Sequence, residues 1–401
     1  MVYITTKSNK LEFFTERESF ADALTWVVRN LPSRPTTPSL AGIMLTGLED
    51  SLILSSFDYE VSSLVFTNAE IIASGKVLIS GRLLSILAKH LPSKNVKVFI
   101  KNTVMTLICG SAHFSLPILD IGSYPELLPS MPEETGTLLS NNFSEAISQV
   151  SVAACRDDTI PMLTGIRIEF YNEKIILVAT DRFRLAIRKL EWITSNVQKE
   201  TAILVPSKIL VSAGKVFSGA KSNCVHLLVG SGLRVGKDGL LGIVSDNKQI
   251  STRLLNTEFP EFNKLIPKKY NSIAFIKVKT LTESIKRMSL VSSRVIQVKM
   301  KFSINNLLHL SAGSDDIGWA KEEIVVKYIG SPLIIAFNPA YLIEGLASLH
   351  SEYAILGFTS SSRPSVLLPA KKTKEIDLNS FIAFINDSSY IYLIMPVKIF
   401  K

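Results

Sequence analysis

The sequence predicts an α+β fold built from three tandem copies of one domain, each with two helices and a majority of antiparallel strands. Three observations carry this. The chain has 401 residues, more than one hydrophobic core holds at roughly 100 to 200 residues per domain. An amphipathic helical segment recurs at steps of about 130 residues, far longer than the roughly 20 to 50 of a solenoid repeat. The strand-like runs between helices lie too close together for parallel crossovers, which need about a dozen residues or more.

Each copy opens on a helix whose apolar residues return every three or four positions. They are Phe20, Leu24, Val27, Val28 and Leu31 in the first, Phe143, Ala146, Ile147 and Val150 in the second, and Leu281, Ile285 and Met288 in the third. A strand-like run then ends on a turn aspartate: Asp58, Asp181 and Asp315. An acidic residue repeated in one turn is explained by its side chain accepting from backbone N–H groups. Short strand-to-helix joints at 79–82, 205–208 and 337–340 introduce a second helix around Leu83, Ile209 and Tyr341. Alternating or apolar runs at 96–101, 103–108, 113–118, 166–170 and 175–180 are bounded by Asn, Asp, Gly and Ser and read as strands. The Pro-rich stretches at 128–132 and 259–267 are the natural linkers. The domains are expected at 1–134, 135–272 and 273–401.

Apolar residues make up 47% and charged residues 20%, the composition of a folded globular chain. No run approaches the ~18 apolar residues of a membrane span. Lys7, Lys10, Glu12, Glu16 and Arg17 break up any secretory apolar segment, so a cytoplasmic protein with no membrane partner is expected. Cys109, Cys155 and Cys224 are odd in number and far apart, which fits reduced core residues and neither a disulfide framework nor a metal pair. The net charge of +9 favours a polyanion or an anionic surface.

That excess recurs on the helices. Solvent-facing positions include Arg17, Asp22 and Arg29 on the first, Lys279, Lys286 and Arg287 on the third copy's first helix, and Arg82, Lys89, Lys208 and Lys215 on second helices. A solvated charged face is the better explanation of any one of them; the repetition across copies narrows the odds toward a functional basic surface and leaves both readings open. Catalytic signatures fail. The stretch 214–222 (GKVFSGAKS) has Ala220 between its second Gly and the Lys and continues a helix, unlike a phosphate-binding loop. Gly230, Gly232 and Gly236 have the wrong final spacing for a dinucleotide site. His90, His113, His226, His309 and His350 show no zinc-binding spacing, and no serine-nucleophile elbow occurs. The pairs Asp157–Asp158 and Asp315–Asp316 are the remaining metal candidates, and turn chemistry accounts for such residues better. No enzyme, cofactor or metal is expected.

Five separated segments carry a resemblance: 33–38 (SRPTTP), 156–165 (RDDTIPMLTG), 179–186 (ATDRFRLA), 259–267 (FPEFNKLIP) and 395–398 (MPVK). In order and end to end, they resemble the bacterial sliding clamp, the beta subunit of DNA polymerase III, whose architecture is itself a triplicated domain. The resemblance implies a non-catalytic, head-to-tail homodimeric ring that encircles double-stranded DNA without reading its sequence. It also implies tethering of the replicative polymerase alpha subunit, the clamp loader, and other polymerases and repair proteins through a hydrophobic peptide cleft.

Carried over by position, Arg34 matches a DNA-contacting residue. Arg156 neighbours another contact, where the family's Gln is replaced by Asp157. With these stand the helix cations Arg29, Lys208, Lys215, Lys286 and Arg287. The cleft comprises Leu163, Thr180, Arg182, Phe183, Arg184, Leu185, Pro260, Lys264, Leu265, Tyr341, Ser365, Met395, Pro396, Val397 and Lys398. Phe183 is bulkier than many members carry and Lys398 stands for an Arg. Leu163 and Leu185 fit an ordinary core role equally well. A size estimate agrees with a ring. Domains of about 130 residues are roughly 35 Å across, so three close on a hole of a few ångströms and six on one of about 35 Å, against a duplex roughly 20 Å wide.

Overall fold

A computed structural model of the chain describes residues 10–125, 131–157, 159–194, 201–219, 221–230, 239–291, 297–314, 318–371 and 377–399. The first copy holds β1 (Glu12–Thr15), α1 (Arg17–Val28), β2 (Gly42–Leu48), β3 (Ser51–Phe57), β4 (Val61–Asn68), β5 (Glu70–Ala73), β6 (Gly75–Ser80), α2 (Gly81–His90), β7 (Val96–Lys101), β8 (Val104–Cys109) and β9 (Ala112–Pro117). The second holds β10 (Glu134–Leu139), α3 (Ser140–Ser151), a single turn α4 (Pro161–Thr164), β11 (Gly165–Phe170), β12 (Lys174–Thr180), β13 (Arg184–Glu191), β14 (Ile193–Thr194), β15 (Thr201–Pro206), α5 (Ser207–Phe217), β16 (Cys224–Val229), β17 (Leu240–Ser245) and β18 (Lys248–Arg253). The third holds β19 (Ser272–Lys277), α6 (Val278–Ser289), β20 (Val298–Phe302), β21 (Leu307–Ser314), β22 (Gly318–Val325), β23 (Lys327–Gly330), β24 (Leu333–Phe337), α7 (Pro339–Ser348), β25 (Tyr353–Phe358), β26 (Ser365–Ala370), α8 (Phe381–Asp387) and β27 (Tyr390–Ile394).

The helices form where the periodicity puts them, because their apolar stripes have a sheet to cover. Phe20, Leu24 and Val27 of α1 and Leu281, Ile285 and Met288 of α6 are buried. The Asn338 side chain caps α7 by accepting from the Ala340 N–H at 2.9 Å, and Pro339 opens that helix, where its missing donor is harmless. Every strand pair among the described residues is antiparallel, as in the ladder of β12 with β13. The turn aspartates behave as hydrogen-bond acceptors. Asp58 Oδ1 accepts from the N–H groups of Glu60 and Val61, and Asp181 Oδ1 from those of Phe183 and Arg184. Asp315, Asp316 and Asp158 lie outside the described residues, as do Ala220, Gly232, Gly236 and most of the 128–132 linker.

Among the described residues the strands fall into four sheets. Two have nine strands, in the orders β14-β10-β16-β17-β18-β4-β3-β2-β6 and β15-β11-β12-β13-β27-β26-β25-β19-β23. One has five, β5-β1-β7-β8-β9, and one has four, β22-β21-β20-β24. Each nine-stranded sheet joins the five-strand half of one copy to the four-strand half of another, through β18 with β4 and through β13 with β27.

The chain divides into two compact units, 1–144 with 193–198 and 208–254, and 145–192 with 199–207 and 255–401. In the first, α1 packs on its nine-stranded sheet, with the Trp26 ring tilted at 48° to that of Phe217 of α5, centres 5.5 Å apart. In the second, one face of the nine-stranded sheet carries Leu185, Ile187, Leu393 and Val366, buried with Phe262, Tyr270 and Phe381. Among the described residues no helix is long and apolar enough to cross a membrane, and no cluster of His, Cys, Asp and Glu could hold a metal ion.

Candidate functional site

The predicted cleft residues all belong to the second unit, where Arg184 organises them. It opens β13 opposite Ile394 of β27, and Ile394 in turn sits opposite Ser365 of β26, so the three share one face of the sheet. That is the face α7 covers. Gly345 makes the approach possible, since a Cβ there would lie 2.3 Å from the ring of Tyr392.

Arg184 is buried, and its Nε donates to Asp181 Oδ2 at 2.9 Å. Its Nη1 donates to Glu344 on α7, and its guanidinium lies 4.4 Å from the centre of the Tyr341 ring. Burial alone would pull the guanidinium's pKa down, but Tyr392, Glu344 and Asp181 outweigh it and push it up. The same surroundings raise Tyr341, through burial first and the charge of Asp181 second. A buried cation held by two carboxylates and an aromatic face is a fixed support. It does not titrate.

Above this support the surface is apolar. Phe183 stacks on Tyr341 with ring centres 6.1 Å apart and planes at 24°, and it remains 57% exposed. Its carbonyl accepts from the Met395 N–H at 2.8 Å, which places the half-exposed Met395 beside it. Thr180 ties the turn together: its Oγ1 donates to the Arg184 carbonyl at 2.7 Å and accepts from the Arg182 N–H. Arg182 holds a φ of 78°, a conformation that costs a non-glycine residue energy, and its side chain is exposed.

The remaining cleft residues divide by depth. Leu163, Leu185, Thr180 and Ser365 are buried; Leu185 belongs to the core on the opposite sheet face, as the core reading allowed. Pro260, Lys264 and Leu265 are exposed around Phe262, whose ring enters that same core, and Lys264 pairs with Glu261. Pro396 and Val397 are half-buried, Lys398 is exposed, and the Val397 N–H donates to Ala336 at 2.8 Å. The sequence reading missed Glu344. The carboxylate that braces Arg184 also accepts from Arg156 at 2.9 Å. Its signal was its position, the one acidic residue of α7 and one turn beyond Tyr341.

The expected DNA-contacting residues are dispersed. In the first unit Arg29 and Arg34 are exposed, as are Lys208 and Lys215 on α5. In the second, Lys286 is exposed on α6, and two further exposed cations carry ion pairs that the sequence does not show. Arg156 sits against the cleft carboxylate Glu344. Arg287 donates to both oxygens of Glu322 on β22, so it faces a strand and its charge is balanced there. Arg17, read as solvent-facing, is half-buried and donates to Ser93 at 3.3 Å.

Three family profiles match successive parts of the chain: the DNA polymerase III beta subunit N-terminal domain over residues 11–129, its central domain over 137–261 and its C-terminal domain over 263–378. The beta sliding clamp of Streptomyces coelicolor is 39% identical over 384 residues, covering 96% of this chain and 98% of that one. The beta sliding clamp homolog GriR of Streptomyces muensis is 36% identical over 97% of this chain and 99% of its own length. Among solved structures, the DNA polymerase sliding clamp of Bacillus subtilis shares the fold with a TM-score of 0.86 at 23% identity, over 98% of this chain and 100% of that one. The Pseudomonas aeruginosa clamp bound to griselimycin does so with a TM-score of 0.85 at 20% identity, over 98% and 100%. With all three domains present in order and a relative this similar along its whole length, the chain belongs to the DNA polymerase III beta subunit family, the beta sliding clamps, which are non-catalytic processivity factors.

Proposed function

We propose that this sliding clamp closes as a head-to-tail homodimer around double-stranded DNA by pairing β9 of each protomer with β22 of its partner. The observation that carries this is the sheet arithmetic. Both junctions within the chain join a five-strand half to a four-strand half, and the chain has one unjoined half of each kind, edged by β9 and β22. Two chains joined at both edges supply six domains and six nine-stranded sheets, one at every junction, with neither β9 nor β22 left as an open edge.

The internal junctions also give the register. Ser63 faces Ile250 at one and Ala186 faces Tyr392 at the other. Ala320 pairs with Ala312 as Ser63 does with Ser56 and Ala186 with Ala179. The β8–β9 hairpin pairs Cys109 with Ala112 as the β17–β18 hairpin pairs Ser245 with Lys248, which makes Phe114 the counterpart of Ile250. Phe114 therefore faces Ala320 of the next protomer. Arg287 fits the same pattern. It is the tenth residue of α6, as Trp26 is of α1 and Gln149 of α3. Trp26 contacts α5 and Gln149 donates to Ser348 of α7, each a second helix of the following copy.

Domain boundaries at 134/135 and 272/273 fall at the first residues of β10 and β19. The exposed cations Arg29, Arg34, Lys208, Lys215 and Lys286 then serve phosphates without base readout, so topology holds the ring on DNA while contacts stay weak. The Phe183–Tyr341–Met395 surface takes short apolar motifs of the replicative polymerase alpha subunit, the clamp loader, and other polymerases and repair proteins. The chain works in the cytoplasm, where that machinery acts.

The test is a crosslink. A Phe114→Cys, Ala320→Cys double variant should form intermolecular disulfides, since directly opposed residues lie within bridging range. The crosslinked ring should remain on nicked circular DNA and leave it only when the DNA is linearised. No crosslink, or retention on linear DNA, refutes this assembly.

A further inference from the structure

We propose that Phe183 is the residue that gives the cleft a preference for an aromatic anchor over an aliphatic one in the peptides it takes, an inference that rests on reading this groove as the peptide site. The phenyl ring is presented as a fixed platform. Its residue is pinned on both sides, the N–H donating to Asp181 Oδ1 at 3.0 Å and the carbonyl accepting from Met395 at 2.8 Å.

Beneath it lies Tyr341, stacked at 24°, whose own carbonyl accepts from the Tyr392 hydroxyl at 2.8 Å. Beneath that network is the Arg184 guanidinium, braced by Asp181 and Glu344. Yet 57% of Phe183 is open to solvent. A large ring supported from below and uncovered above offers an incoming ring a stacking or edge-on partner without first having to be ordered itself. An aliphatic anchor gains only the area it buries. Met395, beside it and 37% exposed, adapts to either shape, and its sulfur adds contact with aromatic rings.

Two synthetic peptides of equal length, one with Phe and one with Leu at the anchor position and otherwise identical, test this by calorimetric titration against the full-length dimer. The ratio of their affinities is the readout, because the difference in buried area is common to every variant. Aromatic pairing lies in the range of about two- to twelvefold in affinity. The Phe-to-Leu preference of the wild type should fall by that factor in Phe183→Leu and persist in Phe183→Tyr, with unchanged circular dichroism in both. An equal ratio in wild type and Phe183→Leu overturns the proposal while leaving the cleft in place. Failure of both peptides to bind the wild type overturns the cleft reading itself.

Discussion

Replacing Asp181 and Asp58 separately by Ala measures how much the cleft's charge network adds to an otherwise shared turn. The two carboxylates do the same local work. Oδ1 of Asp58 accepts from Glu60 and Val61 at 3.1 and 2.7 Å, and Oδ1 of Asp181 from Phe183 and Arg184, both at 3.0 Å. Losing that capping costs about 1 kcal/mol in either place. Only Asp181 has a second task, holding the Nε of an Arg184 side chain that is 4% exposed. Removing one partner of a buried ion pair costs about 3–5 kcal/mol when nothing replaces it. Glu344 still grips this guanidinium, which reduces the added loss to about 2 kcal/mol, or a factor of about 30 in an opening equilibrium. Amide hydrogen exchange separates the two effects. Protection of β12 and β13 in Asp181→Ala should fall about 30-fold further than that of β3 and β4 in Asp58→Ala. The Asp181 variant alone should also weaken peptide binding, because the Phe183 N–H loses its acceptor. Equal losses in the two hairpins would refute the account of Arg184 as a buried, carboxylate-dependent support.

Gly345→Ala sets helix propensity against packing. Alanine gains about 1 kcal/mol within a helix, but its Cβ would meet the buried Tyr392 ring at 2.3 Å, and overpacking of that kind costs about 1–3 kcal/mol. A lower midpoint in urea together with weaker peptide binding is expected, and a stabilised protein would contradict it. Glu322 gives the pH prediction. Arg287 first, and Ser284 next, hold its carboxyl below the ordinary range. The folded value thus lies under the unfolded one of about 4.3, so the pair's contribution is complete above that pH and is lost as pH falls through the lowered folded value. Carbon-detected NMR should show Glu322 titrating below an ordinary glutamate and moving up in Arg287→Ala. An unmoved midpoint would mean that Arg287 is not the cause.

Much of the fold is legible in the sequence because it is local. The stripe Phe20, Leu24, Val27 and the alternation in β7, β8 and β9 are written within a few residues of each other. What the sequence hides is what joins the copies. The partners Ser63 and Ile250, or Ala186 and Tyr392, are about 190 or more residues apart, and neither strand carries a mark of the other. The helix α8 also escapes, because at seven residues it is too short for a helical period, although Phe381 and Ile385 close one face of the sheet.

Long-range pairing also supplies partners for the charged residues that the sequence does not show. Arg287 looks like a face cation in its own helix, and only folding brings Glu322 against it. Arg156 likewise meets Glu344 only because folding brings α7 alongside. A net charge counts residues wherever they stand, whereas the field at a surface depends on which of them keep a carboxylate alongside. The +9 of the chain therefore does not spread evenly over its cations. Lys215 and Lys286, by contrast, are exposed on helices. Arg184, the most tightly held cation of the cleft, serves instead to keep Tyr341 and Phe183 in place.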